Sequence, residues 1–221
     1  MKISGAIFDM DGTLVDSLMV WDVLWARFGE RYKGDSSFRP DPVTEKAIRT
    51  LPLREAMDLL HQKCSIGESG EELWKFATDM CADFYEKDVL MKPDVQDFLA
   101  HLKRNGVKMC VASATAPDLL SIIFRRYELD RYFSRIFSCS EIGKGKEHPD
   151  VFDAAHAYLG TEKESTWVFE DSFVALETAQ RAGYHTVGIY DPYNFCLDRM
   201  AEVSTEYIAE GETLARLIPL I

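Results

Sequence analysis

Phe8-Asp9-Met10-Asp11-Gly12-Thr13-Leu14-Val15-Asp16 is the stretch of the chain that decides the fold. Its first residue, Phe8, is the last of an apolar run that begins at Ile3. That run predicts a buried strand. Two carboxylates, Asp9 and Asp11, follow that strand two residues apart, and a glycine turn comes after them. In an open α/β sheet, ligands bind outside the carboxyl ends of the strands. The two acids therefore stand where an α/β protein carries its site.

The spacing of Asp9 and Asp11 also constrains the chemistry. Two like charges this close repel each other unless a cation or a proton lies between them. The pair therefore indicates a divalent metal, a perturbed acid, or both. Two solvated acids in an ordinary Asp-Gly turn explain a bare Asp-x-Asp-Gly equally well. The choice between these interpretations depends on residues farther along the chain.

The composition limits the class of protein. The 221 residues suffice for one α/β domain, or for a core with a smaller insert, and for a substantial buried core. Hydrophobic residues make up 47% and charged residues 28%, which indicates a globular chain. The net charge of −12 argues against nonspecific binding to nucleic acid or to an anionic membrane surface. A small anionic substrate stays compatible with it, because a metal and one lysine can reverse the local field.

The cysteines and the N-terminus predict the compartment. The five cysteines are scattered, form no C-x-x-C and lack zinc spacing. No apolar run approaches the roughly 18 residues of a membrane span, and the N-terminus shows no secretory pattern. A reducing cytoplasm is the expected location. The sequence does not fix the oligomeric state, and a monomer is the working expectation.

After residue 88 the chain alternates between predicted strands and helices. Apolar runs predict strands over 107–112, 135–138, 166–169 and 186–190. Strands joined by single helices imply right-handed βαβ units and a parallel sheet. The predicted fold is therefore α/β, with a doubly wound, Rossmann-like catalytic core over 1–16 and 89–221.

Residues 17–88 have no strand pattern and are predicted to form an inserted α-helical cap domain. Helical periodicity covers 17–32, the stretch after Pro52 and the stretch after Ser69, while 34–42 is predicted as a loop. Ser69 and Glu72 have the spacing of a capping box, which marks a helix start.

Polar residues directly follow two of the later predicted strands. Ser113 and Ala114 come after 107–112, and a hydroxyl with backbone N–H groups at a strand end can bind a phosphate oxygen. Glu170 and Asp171 follow 166–169, and they add two carboxylates to the edge that carries the first acid pair. Hard oxygen ligands with room for water and phosphate suit Mg²⁺.

These motifs, in this order, resemble those of the haloacid dehalogenase superfamily of phosphohydrolases. The extension of the first motif through Asp16-Ser17 is similar to its β-phosphoglucomutase-like branch. That branch has a Lys-Pro-x-Pro-Asp-x-Phe segment, in which the lysine precedes the start of a helix. Aligning on Pro149-Asp150-x-Phe152 assigns the functional lysine to Lys146. Glu147 stands where proline is usual, and a second lysine, Lys144, lies two residues earlier, but the helix-start pattern fixes the position of Lys146.

The resemblance implies a metal-dependent phosphatase with a covalent intermediate. Its substrate would be a small phosphorylated metabolite, with a sugar phosphate as a candidate. Asp9 would be the nucleophile that forms an aspartyl-phosphate, and Asp11 would act first as acid and then as base. The Asp9 side chain, the Asp11 backbone carbonyl and Asp171 would bind Mg²⁺. Glu170 would contribute through a water or through a bond to a ligand.

The resemblance also implies a phosphate site. Lys146 would offset charge on the transferred phosphoryl group, and Ser113 would donate a hydrogen bond to it. The backbone at Ala114 would add N–H donors. Gly12 would let the chain turn so that nearby N–H groups point at the phosphate.

Two residues of the predicted cap bear on specificity. β-Phosphoglucomutases of this branch carry a histidine five residues after the Asp of the Asp-Ser pair, and here that position is Trp21. Hydrolysis is therefore preferred to mutase activity, which is kept as the alternative. Arg54 is a candidate to bind a distal anionic group, and Trp21 to pack on substrate. A solvated Arg54 and a Trp21 packed within the cap are the simpler interpretations.

A non-catalytic phosphate-accepting protein is the third hypothesis. Receiver domains also combine acids, a hydroxyl residue, a lysine and Mg²⁺ on a doubly wound sheet. The second acid, Asp11, and the predicted cap argue against such a switch.

Overall fold

The computed structural model describes residues 2–221. The chain divides into two compact units. One consists of the residues up to Leu18 together with Val89–Ile221, and the other is the continuous segment Met19–Asp88. In the part of the chain that the structure describes, no helix is both long enough and apolar enough to span a bilayer.

The first unit is built on a six-stranded sheet in which every adjacent pair of strands is parallel. The strands of this unit are β1 Gly5–Phe8, β2 Val15–Asp16, β3 Leu90–Met91, β4 Lys108–Ser113, β5 Ile136–Ser138, β6 Thr166–Glu170, β7 His185–Ile189 and β8 Glu206–Ile208. Strands β2 and β3 form a separate, short antiparallel pair. The order across the sheet is β5-β4-β1-β6-β7-β8. This architecture confirms the predicted doubly wound α/β fold class.

The position of β1 in this sheet determines where a ligand can bind. Gly5 lies opposite Lys108 of β4 on one side and Thr166 of β6 on the other. The strand order therefore reverses at β1, and such a switch point opens a crevice at the carboxyl ends of the strands. All four residues of β1 are buried, and the Phe8 ring stacks on that of Phe169 with centroids 4.3 Å apart.

Nine α-helices occur among residues 2–221. They are α1 Val20–Lys33, α2 Pro42–Arg49, α3 Leu53–Cys64, α4 Gly70–Lys87, α5 Val95–Arg104, α6 Pro117–Tyr127, α7 Cys139–Ile142, α8 Asp150–Leu159 and α9 Phe173–Arg181. Helix α8 shows why they pack on the sheet: Val151, Phe152 and Ala155 are fully buried and share a core cluster with Ile7 and Val168. Burial of such side chains contributes roughly 25 cal/mol for each Å² of apolar surface removed from water.

The second unit contains α1–α4. Ser69 caps α4 as predicted, with its Oγ accepting from the Glu72 N–H at 3.2 Å. The Glu72 carboxylate accepts from the N–H of Glu68 rather than that of Ser69, so only half of the capping box forms. Helix α2 was not predicted, although Asp41 caps it by accepting from two backbone N–H groups and Pro42 is its first residue.

A buried ion pair ties Lys92, just after β3, to the end of β7. Its ammonium lies 2.9 Å from Asp191 Oδ2 and 3.1 Å from Asp16 Oδ1. Burial alone would lower the pKa of Lys92, but the charges of Asp191 and Asp16 outweigh it and raise that pKa. Asp191 is buried and depends on this cation for its charge balance.

Lys92→Met is therefore expected to lower the free energy of unfolding by about 3–5 kcal/mol, because it leaves Asp191 buried without a counter-charge. Urea denaturation would measure the loss. Lys87→Met is the matched control, because Lys87 pairs with Asp83 on an exposed helix face, where an ion pair adds little to stability. Equal losses in the two variants would contradict the prediction.

Candidate active site

The carboxyl ends of three neighbouring strands bring the predicted acids together. Asp9 follows β1 directly, Ser113 is the last residue of β4, and Glu170 is the last residue of β6, with Asp171 after it. The Asp9 N–H donates to the Phe169 carbonyl at 2.9 Å, which extends the pairing of β1 with β6 into the site. Parallel strands end at one edge of a sheet, so residues distant in sequence meet here.

Lys146 joins this cluster from the segment between α7 and α8. Its Nζ donates to Asp9 Oδ1 at 2.5 Å and to Glu170 Oε2 at 2.6 Å. Lys144, the other lysine of the segment, instead pairs with Asp150 Oδ1 at 2.6 Å in an exposed position. The structure thus brings Lys146, and not Lys144, to the acids.

The acids are deeply buried, which perturbs their protonation. Asp9, Glu170 and Asp171 are 6%, 2% and 3% exposed. Burial, followed by the charge of Glu170, raises the pKa of Asp9 to about 8 even though the Lys146 ammonium lowers it. Burial and the charges of Glu170 and Asp9 likewise raise the pKa of Asp171 well above its usual value. Burial would lower the pKa of Lys146, but Asp9 and Glu170 more than offset this and raise it.

The same three carboxylates form a donor set that fits a divalent cation. One oxygen from each of Asp9, Glu170 and Asp171 lies within 4.8 Å of the others. Three buried carboxylates beside one ammonium leave an excess of negative charge, and buried like charges are stable only when a cation or protons compensate them. Carboxylate oxygens are the ligands that Mg²⁺ prefers.

Gly12 lets the turn after β1 pass close to Asp171. Its φ of +79° lies in the left-handed region, and a Cβ at this position would stand 2.2 Å from Asp171 Oδ2. The next residue, Thr13, donates from Oγ1 to Asp171 Oδ1 at 3.0 Å. The turn thus orients the last acid of the cluster and has no room for a larger residue than glycine.

Asp11 lies at the rim of the cluster and is held by two hydroxyl groups. Ser17 Oγ donates to Asp11 Oδ1 at 2.7 Å, and Thr115 Oγ1 donates to Asp11 Oδ2 at 2.7 Å. Ser113 is buried, and its Oγ accepts from the Thr115 N–H at 3.1 Å. Ala114, between them, is exposed.

Asp171 and Asp11 also have hydrogen-bond partners that are not among the predicted site residues, namely Thr13 and Asn194 for Asp171, and Ser17 and Thr115 for Asp11. Asn194 donates from Nδ2 to the backbone oxygen of Asp171 at 2.8 Å and to its Oδ2 at 2.5 Å. Thr115 could have been found from its place beside Ser113 at a strand end. Asn194 follows β7 by several residues, and no local pattern marks it.

The two cap candidates have partners inside the second unit. The Trp21 ring lies 5.5 Å from that of Trp25, centroid to centroid. Arg54 donates to the Glu71 carboxylate, and its guanidinium lies 4.8 Å from the centroid of the Trp74 ring. Trp21 thus has the ring contact expected of a residue packed within its own unit, whereas Arg54 is exposed, as expected of a solvated helix residue.

Comparison with known proteins shows the family to which the chain belongs. The model of the haloacid dehalogenase-like hydrolase family matches residues 3–183. A phosphorylated carbohydrates phosphatase of Thermotoga maritima is 26% identical over 188 residues, 84% of this chain and 84% of that protein. Hexitol phosphatase B of Escherichia coli is 27% identical over 197 residues, 86% of this chain and 85% of that protein.

A solved structure has the same fold. CbbY from Rhodobacter sphaeroides in complex with phosphate superposes with a TM-score of 0.78 at 19% identity, covering 93% of each chain. At that identity the likeness shows the fold alone. The family match covers most of the chain and includes all four predicted motifs, which confirms the resemblance seen in the sequence. The chain therefore belongs to the haloacid dehalogenase-like hydrolase family.

Proposed function

We propose that this chain is a Mg²⁺-dependent phosphatase that acts through an aspartyl-phosphate on Asp9. The observation that carries the proposal is the buried cluster at the end of β1. There the Asp9 carboxylate contacts the ammonium of Lys146 and lies with Glu170 and Asp171 in one oxygen-donor set. Such a cluster combines a nucleophile with the charges that phosphoryl transfer requires.

The reaction class is the established part of this proposal. The family match and the relatives named as phosphatases confirm that the chain is a phosphoric monoester hydrolase. Those relatives are named for phosphorylated carbohydrates and for hexitol phosphates. We therefore propose a small phosphorylated metabolite as substrate, with sugar phosphates first among the candidates.

The proposed reaction has two steps. In the first, a carboxylate oxygen of Asp9 attacks phosphorus, the ester P–O bond breaks, and the leaving oxygen takes a proton from Asp11. In the second, a water that gives its proton to Asp11 attacks the aspartyl-phosphate and releases inorganic phosphate. General acid–base participation of this kind typically contributes about 10²- to 10⁴-fold.

The remaining groups bind the phosphoryl group and balance its charge. Lys146 supplies a fixed positive charge beside Asp9, and Ser113 with the backbone at Ala114 supplies hydrogen-bond donors from the end of β4. Asp9, Asp171 and the Asp11 carbonyl would hold Mg²⁺, with Glu170 supporting them, and the bound ion would supply positive charge against the repulsion between Asp9 and an incoming phosphate.

The test is phosphate release from a panel of sugar phosphates, nucleotides and small acid phosphates, with Mg²⁺ and with EDTA. We expect release that requires Mg²⁺ and disappears in Asp9→Asn. A thermal shift on adding Mg²⁺ alone would report binding independently of activity. Conversion of β-glucose 1-phosphate to the 6-phosphate without release would favour the mutase alternative. Silence of the intact protein across the panel, with no thermal shift, would count against the proposal.

A further inference from the structure

Thr115 makes two different contacts in the site. Its side-chain hydroxyl donates to Asp11 Oδ2 at 2.7 Å, and its backbone N–H donates to Ser113 Oγ at 3.1 Å. Thr115 follows β4, whereas Asp11 follows β1, so the hydroxyl links the ends of two adjacent strands. Ser17, the residue after β2, makes the matching contact, because its hydroxyl donates to the other oxygen of Asp11.

Two hydroxyl groups on opposite oxygens restrict how a carboxyl group can move. The terminal torsion of an aspartate side chain is broad and has no single preferred value. Bonds from two separate segments fix the plane of the Asp11 carboxyl group as well as its position. A hydroxyl can donate to a carboxylate or accept from a carboxylic acid, so the same pair can hold the group before and after it transfers a proton.

We infer that Thr115 is a positioning residue, which orients Asp11 for proton transfer to the oxygen of the leaving alcohol. The inference rests on the proposed function and assigns to the loop after β4 a part in leaving-group protonation besides phosphate binding. Small displacements of an acting group reduce rates steeply, because catalysis depends on its geometry.

The side chain of Thr115 can be tested apart from its backbone. Thr115→Val keeps the shape of the side chain and the backbone bond to Ser113 but removes the hydroxyl. Thr115→Ser keeps the hydroxyl. Thr213→Val is the matched control, because Thr213 also donates to a carboxylate oxygen at 2.7 Å, that of Asp94, at an exposed position.

The readout is the dependence of kcat/KM on the leaving group. 4-Nitrophenyl phosphate releases an anion that is stable without a proton, whereas an alkyl phosphate releases an alkoxide that requires one. Because kcat/KM covers only the steps through release of the alcohol, the later hydrolysis of the aspartyl-phosphate does not enter. We expect Thr115→Val to lower kcat/KM about 10- to 100-fold for the alkyl phosphate and less than about 3-fold for 4-nitrophenyl phosphate.

Thr115→Ser and Thr213→Val are expected to stay within about 3-fold of the wild type for both substrates. A loss in Thr115→Val that is equal for the two substrates would assign Thr115 a structural role and overturn the inference, as would no loss for either. Thermal melting of all three variants would identify a folding defect. If Thr115→Val has such a defect, Thr115→Ser decides the question, because a variant that keeps a required hydroxyl must also keep kcat/KM for the alkyl phosphate. Failure of the wild type on both substrates would instead overturn the proposed function, and the inference with it.

Discussion

Asp9→Asn is expected to lower kcat for phosphate release by at least about 10⁴-fold while stabilising the Mg²⁺-free protein. The first effect follows because an amide cannot act as the nucleophile, and loss of a nucleophile typically costs four to six orders of magnitude. The second follows because a buried amide needs neither a bound proton nor a counter-charge, whereas the buried Asp9 carboxyl group needs one of the two. The amide oxygen can still accept from Lys146, so the contact at that oxygen is kept.

The gain in stability should depend on pH. The pKa of Asp9 rises from its usual 3.8 to about 8 in the folded protein, chiefly through burial. Between these values the folded state holds a proton that the unfolded state has released, so this group lowers stability progressively as pH rises from about 4 to about 8. Asp9→Asn removes that loss. Its advantage over the wild type should therefore be larger at pH 8 than at pH 5.

Urea denaturation in EDTA at the two pH values would measure this difference. We expect the advantage of Asp9→Asn to grow by at least about 1.4 kcal/mol, the equivalent of one pKa unit. Asp150→Asn is the control, because the pKa of Asp150 is lowered by its bond to Lys144 and its removal should bring no gain. An advantage that shrinks toward pH 8 would show that Asp9 is ionised in the folded protein without cost.

Lys146→Met is expected to lower both the stability of the protein and its activity. It removes the ammonium that both Asp9 and Glu170 contact and leaves buried carboxylates uncompensated. Breaking a buried pair in this way costs about 3–5 kcal/mol, and for a chain of this size each kcal/mol corresponds to roughly 2–4 °C in Tm. Phosphate release should also be lost, because the charge beside the nucleophile is removed.

Lys144→Met is the matched control for that loss, two residues away. Lys144 pairs with Asp150 in an exposed position, where the change should cost about 0–1 kcal/mol. Lowering the pH in EDTA should return part of the lost stability to Lys146→Met, because protonation neutralises the carboxylates. If Lys144→Met lost activity and Lys146→Met kept it, the functional lysine would be Lys144.

The acids of the site were predictable because each follows an apolar strand directly. Hydrophobic runs locate the strands, and the parallel topology that follows from alternating helices brings Asp9, Glu170 and Asp171 to one edge. The lysine was harder, because two lysines stand two residues apart and Glu147 replaces the usual proline. The helix start at Pro149-Asp150-x-Phe152 pointed to Lys146, and in the folded chain it is the Lys146 ammonium that contacts Asp9 and Glu170.

The short strands and the hydrogen bonds to Asp171 could not be predicted, because no local sequence pattern indicates them. Strands β2 and β3 have two residues each and β8 has three, too few for a periodic pattern to emerge. The bonds of Thr13 and Asn194 to Asp171 join segments that are far apart along the chain or separated by a strand. Such contacts depend on how the strands are ordered in the sheet, and neither composition nor spacing encodes that order residue by residue.

The central place of β1 has a consequence for how the protein is made. This strand is synthesised before β4 and β6, yet it pairs with both of them. The continuous segment Met19–Asp88 can form its internal contacts as soon as it has been synthesised. The sheet cannot form around β1 until β6, Thr166–Glu170, has also been synthesised. Until then Asp9 has neither the Phe169 carbonyl nor Glu170 beside it. The nascent chain therefore carries Asp9, the proposed nucleophile, well before it acquires the residues that surround this side chain in the folded protein.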